Sequence, residues 1–164
     1  MRDVARVLLL DHGNHILLIK GSDPTNPELD HWWFTPGGGV NEGESHQQAA
    51  SRELFEETGL ELEITGNPIW ERIASFEFMG TLFHQRELFF VARAERFEPR
   101  PQYLSEAELQ YLLGSKWWSK DELAATRETF FPADLAERFE DLVNPVTFGT
   151  IKLPDQEIKL PRKS

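Results

Sequence analysis

Fourteen residues, Ser45 to Thr58, run without a glycine or proline, and Gly59 ends them. Ser45 suits an N-cap and Gly59 the position just past a helix, so this stretch reads as the firmest helix in the chain. On a wheel of 100° per residue, Glu53, Glu56 and Glu57 share an arc of about 100°, with Ala50 and Leu54 at its edge turning toward a core. Carboxylates spaced i, i+3, i+4 repel one another and weaken a helix. A merely solvated acidic face normally interleaves lysines, yet Arg52 is the one lysine or arginine in the stretch. Clustered oxygen ligands suit hard cations such as Mg²⁺ or Mn²⁺. Gly37-Gly-Gly39 precedes the helix, and glycine backbone can come close to both a cation and a phosphate. Together they form a platform for metal-assisted phosphoryl chemistry.

The rest of the chain supplies strands and further helices. Val4–Leu10 and Ile16–Ile19 flank Asp11-His-Gly-Asn14 and read as a β-hairpin. Residues 21–30 are loop chemistry, and Trp32–Pro36 is a short aromatic strand. Further strands are expected at Leu60–Ile64, Ile69–Phe78 and Glu87–Arg93, the last with Phe89 and Val91 facing opposite to Leu88, Phe90 and Ala92. Trp117-Trp118 reads as a strand end running into a helix capped by Ser119. Pro132–Val143 reads as a second full helix with Leu135, Phe139 and Leu142 on one stripe. Strands interleaved with helices point to an α/β sandwich. Ile151-Lys-Leu-Pro154 and Ile158-Lys-Leu-Pro161 repeat one another, so residues 144–164 read as a tail. It is expected as an extended arm, or a hairpin laid on a domain spanning residues 1–143, ahead of a subunit-exchange arm.

Charge and composition narrow the partners. The chain has 164 residues and a formal net charge of −11, which argues against a nucleic-acid polymer or an anionic membrane as the main partner. A small anionic ligand stays compatible, because a bound divalent cation reverses the local field. Cysteine is absent, which excludes disulfides, thiolate nucleophiles and cysteine zinc sites and suits a reducing cytoplasm. The first apolar run, Val7–Leu10, is too short for a signal core or a membrane span, so a soluble, cytoplasmic protein is expected.

Gly38, Glu44 and the block Arg52-Glu53-Leu54-Phe55-Glu56-Glu57-Thr58-Gly59-Leu60 together match the pattern G-x5-E-x7-R-E-U-x-E-E-x-G-U, where U is aliphatic. The match resembles the Nudix box of the MutT-like hydrolases, with no departure across Gly38–Leu60. At residue frequencies of about 1 in 15, its fixed identities would recur by chance on the order of once in 10⁸ positions. The resemblance implies a loop–helix–loop on an α/β/α sandwich with a mixed sheet. It also implies hydrolysis of a diphosphate linkage in a nucleoside diphosphate joined to another group, by water that a metal activates to attack phosphorus. Carried across, Glu56 and Glu57 are the main ligands of Mg²⁺, or of Mn²⁺ as a substitute. Glu53 is a further ligand or the carboxylate that activates water. Arg52 orients these glutamates, Glu44 pairs near Arg52 or reaches another metal, and Gly37 or Gly38 offers a backbone carbonyl. Homodimers are frequent in the family, and nothing in this sequence selects an interface.

Sequence says less about the rest of the substrate. Trp33 is the aromatic candidate for stacking, beside Trp32 and Phe34; Trp70, Phe76, Phe78 and Phe83 fit core and site equally. Arg72 and Arg86 are the phosphate candidates, with Lys20 and Arg93 behind them. A carboxylate outside the box is sought at Glu106 and Glu108, then Glu87. Subfamily signatures for ADP-ribose, dinucleoside polyphosphate or NADH are missing, so a nucleoside triphosphate is the default. The five histidines form no zinc-site pattern, and no G-x-S-x-G or phosphate-binding P-loop occurs. A nucleotide-sensing module on this fold usually lacks box glutamates, whereas this chain keeps them all. An isopentenyl diphosphate isomerase would need a cysteine.

Overall fold

The computed structural model describes residues 1–102, 104–145 and 149–164, so residues 146–148 of the expected tail lie outside it. Its centre is built by side-chain alternation. Strand β1 (Arg2–Leu10) sends Ala5, Val7 and Leu9 to one sheet face and Leu8 and Leu10 to the other. Parallel beside it, β6 (Thr81–Arg93) divides Leu88 and Phe90 from Phe89 and Val91 in the same way. Strands buried on both faces must be apolar on both, and these are. Helix α1 (His46–Thr58) covers the first face with Ala49, Ala50 and Leu54. The second face is covered by α3 (Lys120–Ala125) through Leu123 and by α4 (Phe139–Val143) through Phe139 and Leu142. The fold is an α/β/α sandwich around a mixed sheet.

The other elements are β2 (Ile16–Gly21), β3 (Trp32–Phe34), β4 (Gly37–Gly39), β5 (Trp70–Phe78), α2 (Glu106–Tyr111), β7 (Leu112–Trp118), β8 (Phe130–Phe131), β9 (Ile151–Lys152) and β10 (Gln156–Glu157). The sheet runs β10-β5-β6-β1-β2-β3-β8, with β4 on β1, β7 on β2 and β9 on β5. The expected hairpin forms at its turn, where Leu10 pairs with Ile16 and Asn14 takes a φ of 59°. Beyond that pair β1 and β2 part, and β4 takes the vacated edge in the register Ala5↔Gly38 and Arg6↔Gly37.

Three expectations need correction. Leu60–Ile64 is not a strand: Leu60, Leu62 and Ile64 pack under α1, and the Ile64 N–H donates to Ser51 Oγ at 2.9 Å. The alternation there reflects packing without a sheet partner among the described residues. Pro132–Val143 is not one helix; tight i→i+3 bonds, Leu135 N–H to the Pro132 carbonyl and Phe139 N–H to the Ala136 carbonyl, make turns up to α4. Leu135, Phe139 and Leu142 are buried regardless, so the stripe marked the core and not the helix. Of the two readings of the tail the extended arm agrees with the structure and the hairpin does not, because β9 and β10 both lie parallel against the outer edge of β5 instead of against each other.

Candidate active site

The helix that carries the glutamates is set at both ends. Ser45 Oγ accepts the Gln48 N–H at 3.1 Å while Gln48 Oε1 accepts the Ser45 N–H at 2.9 Å, a reciprocal capping box. At the other end Gly59 adopts a left-handed φ of 81° and donates to the Phe55 carbonyl at 2.8 Å. The final turn holds Glu56 and Glu57 and no basic residue. Acidic groups belong at the opposite pole of a helix dipole, so this arrangement costs stability and invites a cation.

Gly37 and Gly38 bring the β4 backbone against these carboxylates. Gly37 has a φ of 147°, and a Cβ there would stand 2.1 Å from the Ala5 carbonyl oxygen. A Cβ on Gly38 would stand 2.6 Å from the Glu53 carboxylate. Side chains at either position would displace what the site gathers.

Arg52 ties the carboxylates together. Its Nε donates to Glu44 Oε2 at 2.8 Å and its Nη2 to Glu44 Oε1 at 2.9 Å, a two-pronged pair. Nη1 donates to Glu53 Oε1 at 2.9 Å and reaches Glu56 Oε2 at 3.4 Å, and Nη2 also bonds the Gly39 carbonyl at 2.9 Å. Glu44 holds the guanidinium more firmly protonated than usual, and Arg52 in turn holds the Glu44 carboxyl below the ordinary carboxylate range. One arginine therefore connects the loop, the start of the motif and the helix.

Glu57 is the group under most electrostatic pressure. It is buried, and its Oε2 accepts the Gly37 N–H at 3.2 Å. Burial first, then the charge of Glu53, pushes its carboxyl well above the usual range. Burial and Glu53 push Glu56 upward too. Among the described residues no three carboxylate, imidazole or thiol groups converge closely enough to enclose a metal unaided. The donor set still fits a hard divalent cation: oxygen ligands only, a buried carboxylate short of positive charge, and glycine backbone alongside. A hard divalent cation held by so few protein oxygens would leave coordination positions for other oxygen ligands.

Part of this cluster borders a cavity of about 480 Å³, a size that suits a small-molecule ligand, while Glu44, Arg52 and Glu56 stand off its lining. Glu53, Glu57, Gly37 and Gly38 line it together with Trp32, Phe34, Phe78 and Tyr111. Trp32 meets Phe78 edge-on at 5.8 Å, and Phe78 meets Tyr111 at 5.2 Å. A polar row shares the cavity. Glu87 accepts Arg6 Nε at 3.0 Å and Gln85 Nε2 at 3.1 Å on one oxygen, and Arg72 Nε at 2.9 Å and Nη2 at 2.6 Å on the other. Burial pushes this carboxyl up, but Arg6 and Arg72 outweigh it and hold Glu87 below the ordinary range. Arg72 Nη1 donates onward to Gln156 Oε1 at 2.9 Å. The rim is pinned by buried Asp23, whose Oδ2 accepts the Met79 N–H at 2.8 Å.

The structure brings some of the candidates together and separates others. Glu44, Arg52, Glu53, Glu56 and Glu57 form one cluster, and Arg72 and Glu108 line the cavity beside it. Glu108 also adds to the upward push on Glu57. Glu106 does not line the cavity, and Glu87 lines it as the partner of two arginines. Trp33 points into the opposite core, edge-on to Trp118 at 5.2 Å with its indole N–H on Glu128, so its neighbour Trp32 is the residue on the cavity. Arg86 pairs with Glu71 at 2.6 Å away from the cavity, and Arg93 bonds the Asp11 carbonyl at 3.1 Å. Sequence reasoning missed Arg2, Arg6, Tyr111 and Gln156. The first two carried a partial signal: Arg2 and Arg6 alternate onto the same side of β1 as Val4, Leu8 and Leu10.

A family model described as the NUDIX domain matches residues 1–139. The chain belongs to the Nudix family. This Nudix chain is 34% identical over 92 residues to an oxidized purine nucleoside triphosphate hydrolase of Danio rerio, covering 54% of this chain and 57% of the relative. It is 54% identical over 33 residues to an RNA pyrophosphohydrolase of Bartonella quintana, covering 20% of this chain and 19% of that one. The chain thus spans a little over half the length of the first relative and about a fifth of the second. The MutT protein of Methanosarcina mazei Go1 shares its Nudix fold with a TM-score of 0.65 at 20% identity, over 87% of this chain and 95% of that one.

Proposed function

We propose that this Nudix protein is a divalent-metal-dependent hydrolase that cleaves a diphosphate linkage in a small nucleotide, with a nucleoside triphosphate as the first substrate to try. The observation that carries the reading is Glu57: a carboxylate destabilised by burial and then by Glu53, lining a ligand-sized cavity together with Glu53 and the Gly37-Gly38 backbone. The Danio rerio relative's name, a nucleoside triphosphate hydrolase, supports the same substrate class.

Glu56 and Glu57 would hold the cation, with Glu53 and a β4 carbonyl beside them. Mg²⁺, or Mn²⁺ in its place, would neutralise phosphate charge there and make bound water more acidic. Arg52 keeps Glu53 and Glu56 in place, and its pair with Glu44 fixes the guanidinium plane. Glu53 would serve as a further ligand or take a proton from attacking water. Trp32 and Phe78 offer aromatic surface for a base, and Arg72 offers positive charge against substrate oxygens. No helix among the described residues is long and apolar enough to cross a membrane, and a cysteine-free chain suits the cytoplasm in which we place it.

The test is phosphate release over nucleoside triphosphates, ADP-ribose, sugar nucleotides and dinucleoside polyphosphates, in Mg²⁺ and Mn²⁺, with and without a coupling pyrophosphatase. A metal-dependent preferred substrate is the expected result. Glu57→Gln should then lose about 10²- to 10⁴-fold in kcat while keeping the fold. Retained turnover would remove Glu57 from its metal-holding role, and silence across the panel would remove the hydrolase reading.

A further inference from the structure

The polar row in the cavity crosses the sheet. Arg6, Glu87, Arg72 and Gln156 come one each from β1, β6, β5 and β10, four strands adjacent in that order. At a strand spacing of about 4.8 Å, β10 stands about 14 Å from β1; Arg6, Glu87 and Arg72 line the cavity, and Gln156 continues the row from Arg72. Its far end belongs to the C-terminal arm.

That arm is anchored twice. Along β5 the N–H groups of Ile151, Leu153 and Ile158 donate to the carbonyls of Ile69, Glu71 and Ser75 at 2.9, 2.8 and 2.8 Å. Beyond the cavity, Asp30 N–H donates to the Pro161 carbonyl at 2.8 Å, Lys163 N–H donates to the Glu28 carbonyl at 2.9 Å, and Arg162 pairs with Glu28 at 2.8 Å. Ile158, at the end of the first anchorage, and Leu160, between the two, both line the cavity. The arm therefore straps one open side of the site from the sheet edge to the loop after β2.

Gln156 gives the strap a polar role. Two N–H groups of the Arg72 guanidinium are spent on Glu87, a third points to Gln156 Oε1, and the plane lies over the Phe89 ring at 5.5 Å. The amide is thus the arm's grip on the direction of a cavity arginine.

We propose that this arm is a wall of the substrate site, that Gln156 positions Arg72 for the part of the substrate remote from the glutamates, and that the strap confines the enzyme to substrates with a single compact nucleoside. The inference rests on the hydrolase reading and deepens it. It also explains why a tail with two short strands is pinned by backbone on both sides of a cavity it did not need to reach.

The test uses the full chain. Because the sequence has no cysteine, Leu160→Cys introduces one thiol inside the cavity, and Ile151→Cys introduces one on β9 outside it, where the native side chain is 42% exposed. With the α,β-methylene analogue of GTP in Mg²⁺, alkylation by iodoacetamide should slow about tenfold or more in Leu160→Cys and stay unchanged in Ile151→Cys. Gln156→Leu should raise KM for GTP about tenfold with kcat within about twofold, the loss of one hydrogen bond to a charged group. Gln156→Glu keeps the acceptor oxygen that orients Arg72 and should recover part of the loss, its added charge working against an anionic substrate. Leu160→Ala should raise kcat/KM for diadenosine tetraphosphate relative to GTP. Wild-type turnover of GTP or ATP with an unprotected Leu160→Cys thiol, or with Gln156→Leu kinetics unchanged, overturns the arm's role alone. A wild-type chain silent across the whole substrate panel, with the Leu160→Cys thiol left unprotected, overturns the hydrolase reading, and this one with it.

Discussion

Glu87→Gln isolates the electrostatics beneath the cavity. Glu87 is 2% exposed and accepts four N–H groups, three of them from the guanidiniums of Arg6 and Arg72. Glutamine keeps the shape and one acceptor oxygen but sets an NH₂ donor against guanidinium donors and leaves two arginines without a counter-charge. Removing one partner of a buried ionic network costs about 3–5 kcal/mol, a large share of the roughly 5–15 kcal/mol that holds a domain folded. With a urea m-value of about 2 kcal/mol/M, the unfolding midpoint should fall by about 2 M. The difference should also depend on pH in a fixed sense. Glu87 titrates below its ordinary value of 4.5 in the folded protein, so its contribution is present above that pH and is lost as the pH falls through the lowered value. The stability gap between wild type and variant should be full at pH 7 and narrow below about pH 4.5. A midpoint shift under about 0.5 M at pH 7, or a gap that widens in acid, would refute the reasoning.

Other perturbations follow from the same geometry. Arg52→Lys loses the two-pronged hold on Glu44 and should lower kcat about 10- to 100-fold with an unchanged circular dichroism spectrum; an unaffected kcat would show that one point charge suffices. Gly37→Ala puts a Cβ 2.1 Å from the Ala5 carbonyl at a φ of 147° and should cost about 2 kcal/mol or more, read as a melting temperature several degrees lower. Trp32→Ala should raise KM for the preferred nucleotide about tenfold, whereas Trp33→Phe should change stability and leave KM alone. The reverse pattern would mean that the wrong tryptophan has been placed on the cavity.

How far the sequence reaches depends on what kind of constraint a residue answers to. The helix over Ser45–Thr58 was legible because capping chemistry, apolar spacing and the closing glycine agree, and the clustered glutamates stood out as a conflict with helix stability. Leu60–Ile64 misled because alternation records which side chains are buried and is silent on whether the backbone finds a strand to pair with. Pro132–Val143 misled for the same reason, since a buried stripe arises from successive turns as well as from a helix. The choice of Trp33 over Trp32 turned on which face of a short strand meets the cavity, and that depends on partners distant in sequence. Gln156 was invisible: a lone glutamine in a polar tail carries no signal until β10 is laid against β5.

The polar row also bears on how the protein folds and lasts. Arg6 and Glu87 are 81 residues apart in sequence, and Arg72 and Gln156 are 84. Bonds that close loops of this length lose much chain entropy and form late, after more local structure has condensed. Weakening Arg6, Glu87 or Gln156 should hasten unfolding while leaving the refolding rate nearly unaltered. The residues that shape the ligand chamber would then also set the lifetime of the native state, so variants selected for a wider substrate range would tend to be shorter-lived ones.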